Sequence, residues 1–74
     1  MNKRSITIDG HRTSVSLEEP FWSALSEIAD ARGISLAGLI REIDRDRDSA
    51  LNLSAALRVH ALAWFRERAD PATG

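Results

Sequence analysis

The 74-residue sequence predicts a small, mainly α-helical domain built on a short β-ribbon, with an N-terminal hairpin and a third, C-terminal helix. Three observations carry this expectation. Lys3 to Leu17 alternates around Asp9-Gly10. Apolar residues then recur at helical spacing as Phe21, Leu25, Ile28 and Ala29, as Leu36, Leu39, Ile40 and Ile43, and again from Leu53 to Phe65. Between the first two runs, Gly33 and Ser35 place a helix stop next to a helix start.

Asp-Gly between alternating residues is a two-residue hairpin turn that favours type I′. That turn predicts Ile8 opposite His11, Ile6 opposite Thr13 and Arg4 opposite Val15, on one face with Leu17. Thr7 then meets Arg12, Ser5 meets Ser14, and Lys3 meets Ser16. The first face is mainly apolar and the second wholly polar and basic. The first helix is expected from about Pro20 to Arg32, with Pro in its first turn and Glu18 and Glu19 at the positive end of its dipole. The second opens at Ser35 and dissolves into "RDRDSALN". The third runs from Asn52 or Leu53 to about Arg68. Apolar residues cover so much of its circumference that several of its sides must be buried, which in so short a chain suggests a second subunit. The organisation is then residues 1–10 as an N-terminal arm or first hairpin strand, 11–48 as the core, 49–69 as the C-terminal helix and 70–74 as a disordered tail.

Composition narrows the class. A chain this short buries little surface and usually needs a disulfide, a metal or a partner. It has no Cys, which fits a reducing, cytoplasmic setting, and its two His, His11 and His60, are far apart. No metal and no cofactor is expected, and association is the remaining source of stability. No leader-like N-terminus and no membrane-length apolar run is present. His11 reads as a turn-adjacent sheet residue and His60 as a packed helix residue. Trp22, Trp64 and Phe65 read as core or interface. No nucleophile with a base, no carboxylate pair with a pocket and no phosphate-cradling glycine loop stands out, so an enzyme is not expected. Net charge is −1, unevenly spread: residues 1–17 sum to +2, residues 18–48 to −4 and residues 49–74 to +1.

The order strand, helix, Gly-x-Ser joint, helix over His11 to Arg45, with the joint in "ARGISLAGLI", resembles the ribbon-helix-helix family of bacterial and phage DNA-binding repressors. With "NLSAALR" in the third helix, the whole chain is similar to a short bacterial subgroup carrying an added C-terminal helix. The resemblance implies an intertwined homodimer that regulates transcription, its two strands paired into a ribbon in the major groove of DNA. It assigns base reading to Arg12, Ser14 and Ser16. It assigns phosphate contact to the second helix's N-terminus at Ile34, Ser35 and Leu36, with Lys3 and Arg4 as basic contributors. Val15, Leu17, Leu39, Ile40, Leu57 and Trp64 are the residues expected at the dimer interface.

The polar strand face has a second reading, an ordinary solvated surface. The dimer would then be a protein-interaction module, antitoxin-like or an adaptor, with little or no DNA affinity and a protein partner held through the C-terminal helix or the sheet edge. One dimension bears on the choice. Strands lie about 4.8 Å apart, so a dimer of two hairpins makes a four-stranded sheet too wide for a groove of about 12 Å. Either residues 1–9 are a mobile arm, or such a sheet cannot enter the groove in the usual way. The acidic middle of the chain would also repel the flanking phosphates.

Overall fold

The computed structural model describes residues 2–69, so the tail expected at 70–74 lies outside the described residues. Two strands, β1 (Asn2–Ile8) and β2 (His11–Leu17), are followed by α1 (Glu19–Arg32), α2 (Leu36–Asp46) and α3 (Leu53–Ala69). The strands form one antiparallel hairpin in the expected register, from Ile8 opposite His11 to Asn2 opposite Leu17. Asp9 (φ 50°) and Gly10 (φ 83°) both take the left-handed backbone that a type I′ turn requires. The arm is therefore a strand, paired along its whole length.

That register sends Ile8, Val15 and Leu17 inward, at 0–7 % exposure. They pack with Trp22, Leu25 and Ile28 of α1, Leu39 and Ile40 of α2, and Leu57 of α3. Each helix starts and stops for a local reason. In α1, Pro20 stands in the first turn and the helix ends at Gly33 (φ 70°). There the Gly33 N–H donates to the Asp30 carbonyl (3.1 Å) and the Ile34 N–H to the Ala29 carbonyl (3.0 Å), a Schellman ending. In α2, Ser35 Oγ accepts the Gly38 N–H at 2.9 Å. Gly38 leaves room for that cap, since a Cβ there would stand 3.1 Å from Ser35 Oγ.

Helix α3 folds back onto the sheet. The Ser54 hydroxyl donates to the Ser16 carbonyl (3.1 Å), and Arg58 Nε donates to Glu18 Oε1 (3.0 Å). Its buried positions are Ala56, Leu57 and Ala61. Val59 and Leu62, which the sequence reading also counted as apolar contact, stay more than half exposed. Five of the residues expected at a dimer interface belong to this core. Val15, Leu17, Leu39, Ile40 and Leu57 are 0–2 % exposed inside one chain. Within the chain, α3 contributes Ala56, Leu57 and Ala61 to this core. Of the expected interface residues, Trp64 alone is half-buried, and it packs at the margin of the same core.

His60 lies on the side of α3 that borders α2, in a cavity shared with Arg32, Glu42, Asp46 and Arg47. Its Nε2 is out of solvent contact and has no hydrogen-bond partner among the described residues. Burial, and then the nearby Arg32 guanidinium, holds its imidazole below the ordinary value.

Three outcomes test this packing. Leu57→Ala should cost about 2–5 kcal/mol in urea denaturation, because it empties a fully buried site. Gly10→Val should also destabilise, since a β-branched residue resists positive φ, and amide exchange along β1 should rise first. His60→Gln should flatten the acid side of the stability curve. With its pKa lowered on folding, neutral His60 favours the native state above the unfolded value of 6.5, and that advantage is lost as pH falls through the folded value. Denaturation midpoints at about pH 7.5 and about pH 5 should therefore differ less in the variant.

Candidate nucleic-acid interface

The outer face of the hairpin carries Lys3, Ser5 and Thr7 from β1 and Arg12, Ser14 and Ser16 from β2. Five of these are exposed and Ser16 is half-buried. Two cations and four hydroxyls thus share one surface with no carboxylate among them. Among the described residues, none of the six side chains has a hydrogen-bond or ion-pair partner; Ser16 takes part only through its backbone carbonyl. In an antiparallel pair the hydrogen-bonded positions alternate. With Ile8 and His11 flanking the turn as a bonded pair, the backbone groups of Arg12, Ser14 and Ser16 turn away from β1. The Ser54 hydroxyl occupies the last of these outward carbonyls.

The structure brings Arg12, Ser14 and Ser16 together on this face and adds Lys3 to it. It separates Arg4 from them. Arg4 has the opposite parity, and its guanidinium lies over the Trp22 ring, 4.6 Å from the centroid and 3.8 Å from Glu19. The Trp22 indole N–H in turn donates to the Asn2 carbonyl (3.0 Å), and the Asn2 amide bonds Glu19. Arg4 and Trp22 therefore clamp the start of β1 to α1 from the helix side, and Lys3 and Arg4 stand on opposite faces of the sheet.

The α2 N-terminus lies beside β1. Ser35 is exposed, while Ile34 and Leu36 are half-buried. A depression of about 160 Å³ is lined by Thr7, Ser35, Ala37, Gly38 and Arg41. It combines first-turn backbone N–H groups, the positive end of the helix dipole and a guanidinium, a set suited to an anion. Sequence reasoning missed Arg41. Its signal was the i, i+4 spacing from Ala37, which puts it over the first turn of α2.

Most carboxylates of the acidic middle are paired within the chain. Glu42 pairs with Arg32 (2.9 Å), Asp44 with Arg47 (2.9 Å), Asp46 with Arg45 (3.4 Å) and Glu18 with Arg58 (3.0 Å). The hydrogen bond from Arg58 holds the Glu18 carboxyl below the ordinary carboxylate range. A separate apolar groove of about 350 Å³ runs between α1 and α3, with Phe21 and Ala24 on one wall and Val59, Leu62 and Phe65 on the other. Among the described residues no cluster of three or more His, Asp or Glu is placed to hold a metal ion. No described helix is long and apolar enough to cross a membrane.

The model of the ribbon-helix-helix domain family matches residues 1–65. Among solved structures, the chain is similar to an uncharacterized protein from Bordetella pertussis Tohama I, at 33 % identity and a TM-score of 0.77. The match covers 97 % of this chain and 63 % of that one, so this chain spans under two thirds of its neighbour's length. No curated protein matches the sequence.

Proposed function

The chain belongs to the ribbon-helix-helix family, whose members are in general DNA-binding regulators, and we propose that it is a sequence-specific regulator of transcription that reads the major groove with the outer face of its hairpin. One observation carries this reading: a chain of net charge −1 keeps an acid-free surface of two cations and four hydroxyls on one sheet face, none with a side-chain partner among the described residues. A two-stranded hairpin, about 4.8 Å between strand axes, is narrow enough for a groove of about 12 Å. Arg12 takes the two acceptors on the edge of guanine, and Ser14 and Ser16 add less discriminating hydrogen bonds. The Ile34–Ser35–Leu36 turn, with Arg41 beside it, holds a backbone phosphate and sets the register of the sheet on the duplex.

The groove between α1 and α3 favours a second reading, in which the chain docks an apolar segment of another protein. Val59 and Leu62, 56 % and 57 % exposed on neighbouring turns, are the observation behind it. The two readings use different faces and need not compete.

Selection from random duplexes, followed by affinity titrations at several salt concentrations, tests the first reading. Arg12→Ala should cost about 1–3 kcal/mol on the selected site and relax the preference at one base pair. Arg41→Ala should instead weaken all duplexes alike and lower the slope of log affinity against log salt by about one. If no sequence is enriched at low salt, or if Arg12→Ala leaves the motif unchanged, the polar face is a solvated surface and the protein-docking reading takes precedence.

A further inference from the structure

The two strands share the outer face but differ in chemistry and in surroundings. β2 presents Arg12, whose planar fork takes two acceptors at once; β1 presents Lys3, a compact point charge, with Ser5 and Thr7 beyond it. On the side of β2 away from β1, the backbone groups of Arg12 and Ser14 have no hydrogen-bond partner among the described residues. That is an open edge, the kind that pairs with another strand. β1 instead borders α2 at Thr7, which lines one depression with Ser35, Gly38 and Arg41. The start of β1 is fastened from the helix side. Asn2 bonds Trp22 and Glu19, and Arg4 lies over Trp22, so Lys3 stands between two anchored neighbours.

Ribbon-helix-helix proteins in general bind DNA as dimers. When two copies join at the open edges of β2, the sheet has four strands, with β2 and its copy in the middle. At about 4.8 Å between strands, each β2 lies about 2.4 Å from the two-fold axis and each β1 about 7 Å from it. A major groove about 12 Å wide has its walls about 6 Å from its midline. The middle strands fit between the walls; the outer strands lie over the sugar-phosphate backbones. From this we infer that β1 is a phosphate rail: Lys3, Ser5 and Thr7 grip the backbone on each side of the groove, while Arg12, Ser14 and Ser16 of β2 meet the bases. The inference rests on the DNA-reading role proposed above and gives β1 a different task from β2. The side chains suit that task. An ammonium meets a phosphate as a point charge, and hydroxyls are ordinary donors to phosphate oxygens. Thr7 makes the rail continuous with the depression at the start of α2, so one line of donors runs from Arg41 through Thr7 and Ser5 to Lys3. The strand part of that line, from Thr7 to Lys3, is about 14 Å long. A sheet too wide to enter the groove whole thus sits across it, with its middle pair inside.

The test uses a motif selected from random duplexes and affinity titrations of the full chain against salt, on the motif and on a scrambled duplex. Lys3 is exposed, so Lys3→Ala leaves the fold intact, which circular dichroism checks. It should weaken both duplexes by the same factor, roughly tenfold or more near 0.1 M salt, and make the salt slope shallower by about 0.9 per copy. The selected bases should not change. Lys3→Arg should keep both affinity and slope. Thr7→Val, which removes only a hydroxyl, should weaken both duplexes alike with the slope unchanged. On a duplex carrying neutral methylphosphonates beside the motif, the difference between the parent chain and Lys3→Ala should vanish. Native mass spectrometry should count two chains on one motif. If Arg12→Ala relaxes the motif while Lys3→Ala has no effect, or itself changes a base preference, DNA reading stands and the rail is overturned. A single chain on the motif overturns the rail as well. If no sequence is enriched, or Arg12→Ala leaves the motif unchanged, the reading falls and the rail falls with it.

Discussion

The Asp9–Gly10 turn decides which residues of the sheet meet water and which meet the core. Side chains alternate with a period of two, so a slip of one residue would send Val15 and Leu17 outward and bury Arg12 and Ser14. Positive φ at two successive positions fixes the turn, and the turn fixes the pairs. Everything else answers to that register: Trp22 meets the inner parity at Asn2 and Arg4, Ser54 meets the outward carbonyl of Ser16, and α2 brings its N-terminus up to Thr7.

Much of this was legible in the sequence because the signals are local. The hairpin pairs follow from one dipeptide and parity, and the helix boundaries from Gly33 and Ser35. What could not be read was where α3 goes. Its apolar residues look alike as letters, and only packing separates Leu57, fully buried, from Leu62, more than half exposed. The apolar circumference of α3 suggested a second subunit; within one chain that helix buries Ala56, Leu57 and Ala61 and leaves Val59 and Leu62 exposed. Arg4 was obscured for a similar reason. Basic residues side by side look like one patch, but neighbours in a strand face opposite ways, and Arg4 rests on Trp22.

Electrostatics follow the same division of faces. A net charge near zero is a poor guide when the charges are segregated. Glu42 and Asp44 of α2, and Glu18 just before α1, are held in close pairs with arginines on the helical side, and the field of such a pair dies off faster than that of a lone charge. Beyond a Debye length of about 10 Å at ordinary salt, the cations of the outer sheet face are the charges an approaching polyanion meets first. Lys3 and Arg12 do not compete with an internal carboxylate for their contacts.

Closure of the core by α3 also bears on how such a protein responds to its own abundance. A regulator that must associate before it can bind is occupied on its target in proportion to the square of its concentration when dilute, and its fold weakens on dilution. A chain that covers Leu17, Leu39, Ile40 and Leu57 with its own elements keeps that core out of water before two copies meet, so dilution parts the copies without stripping the core.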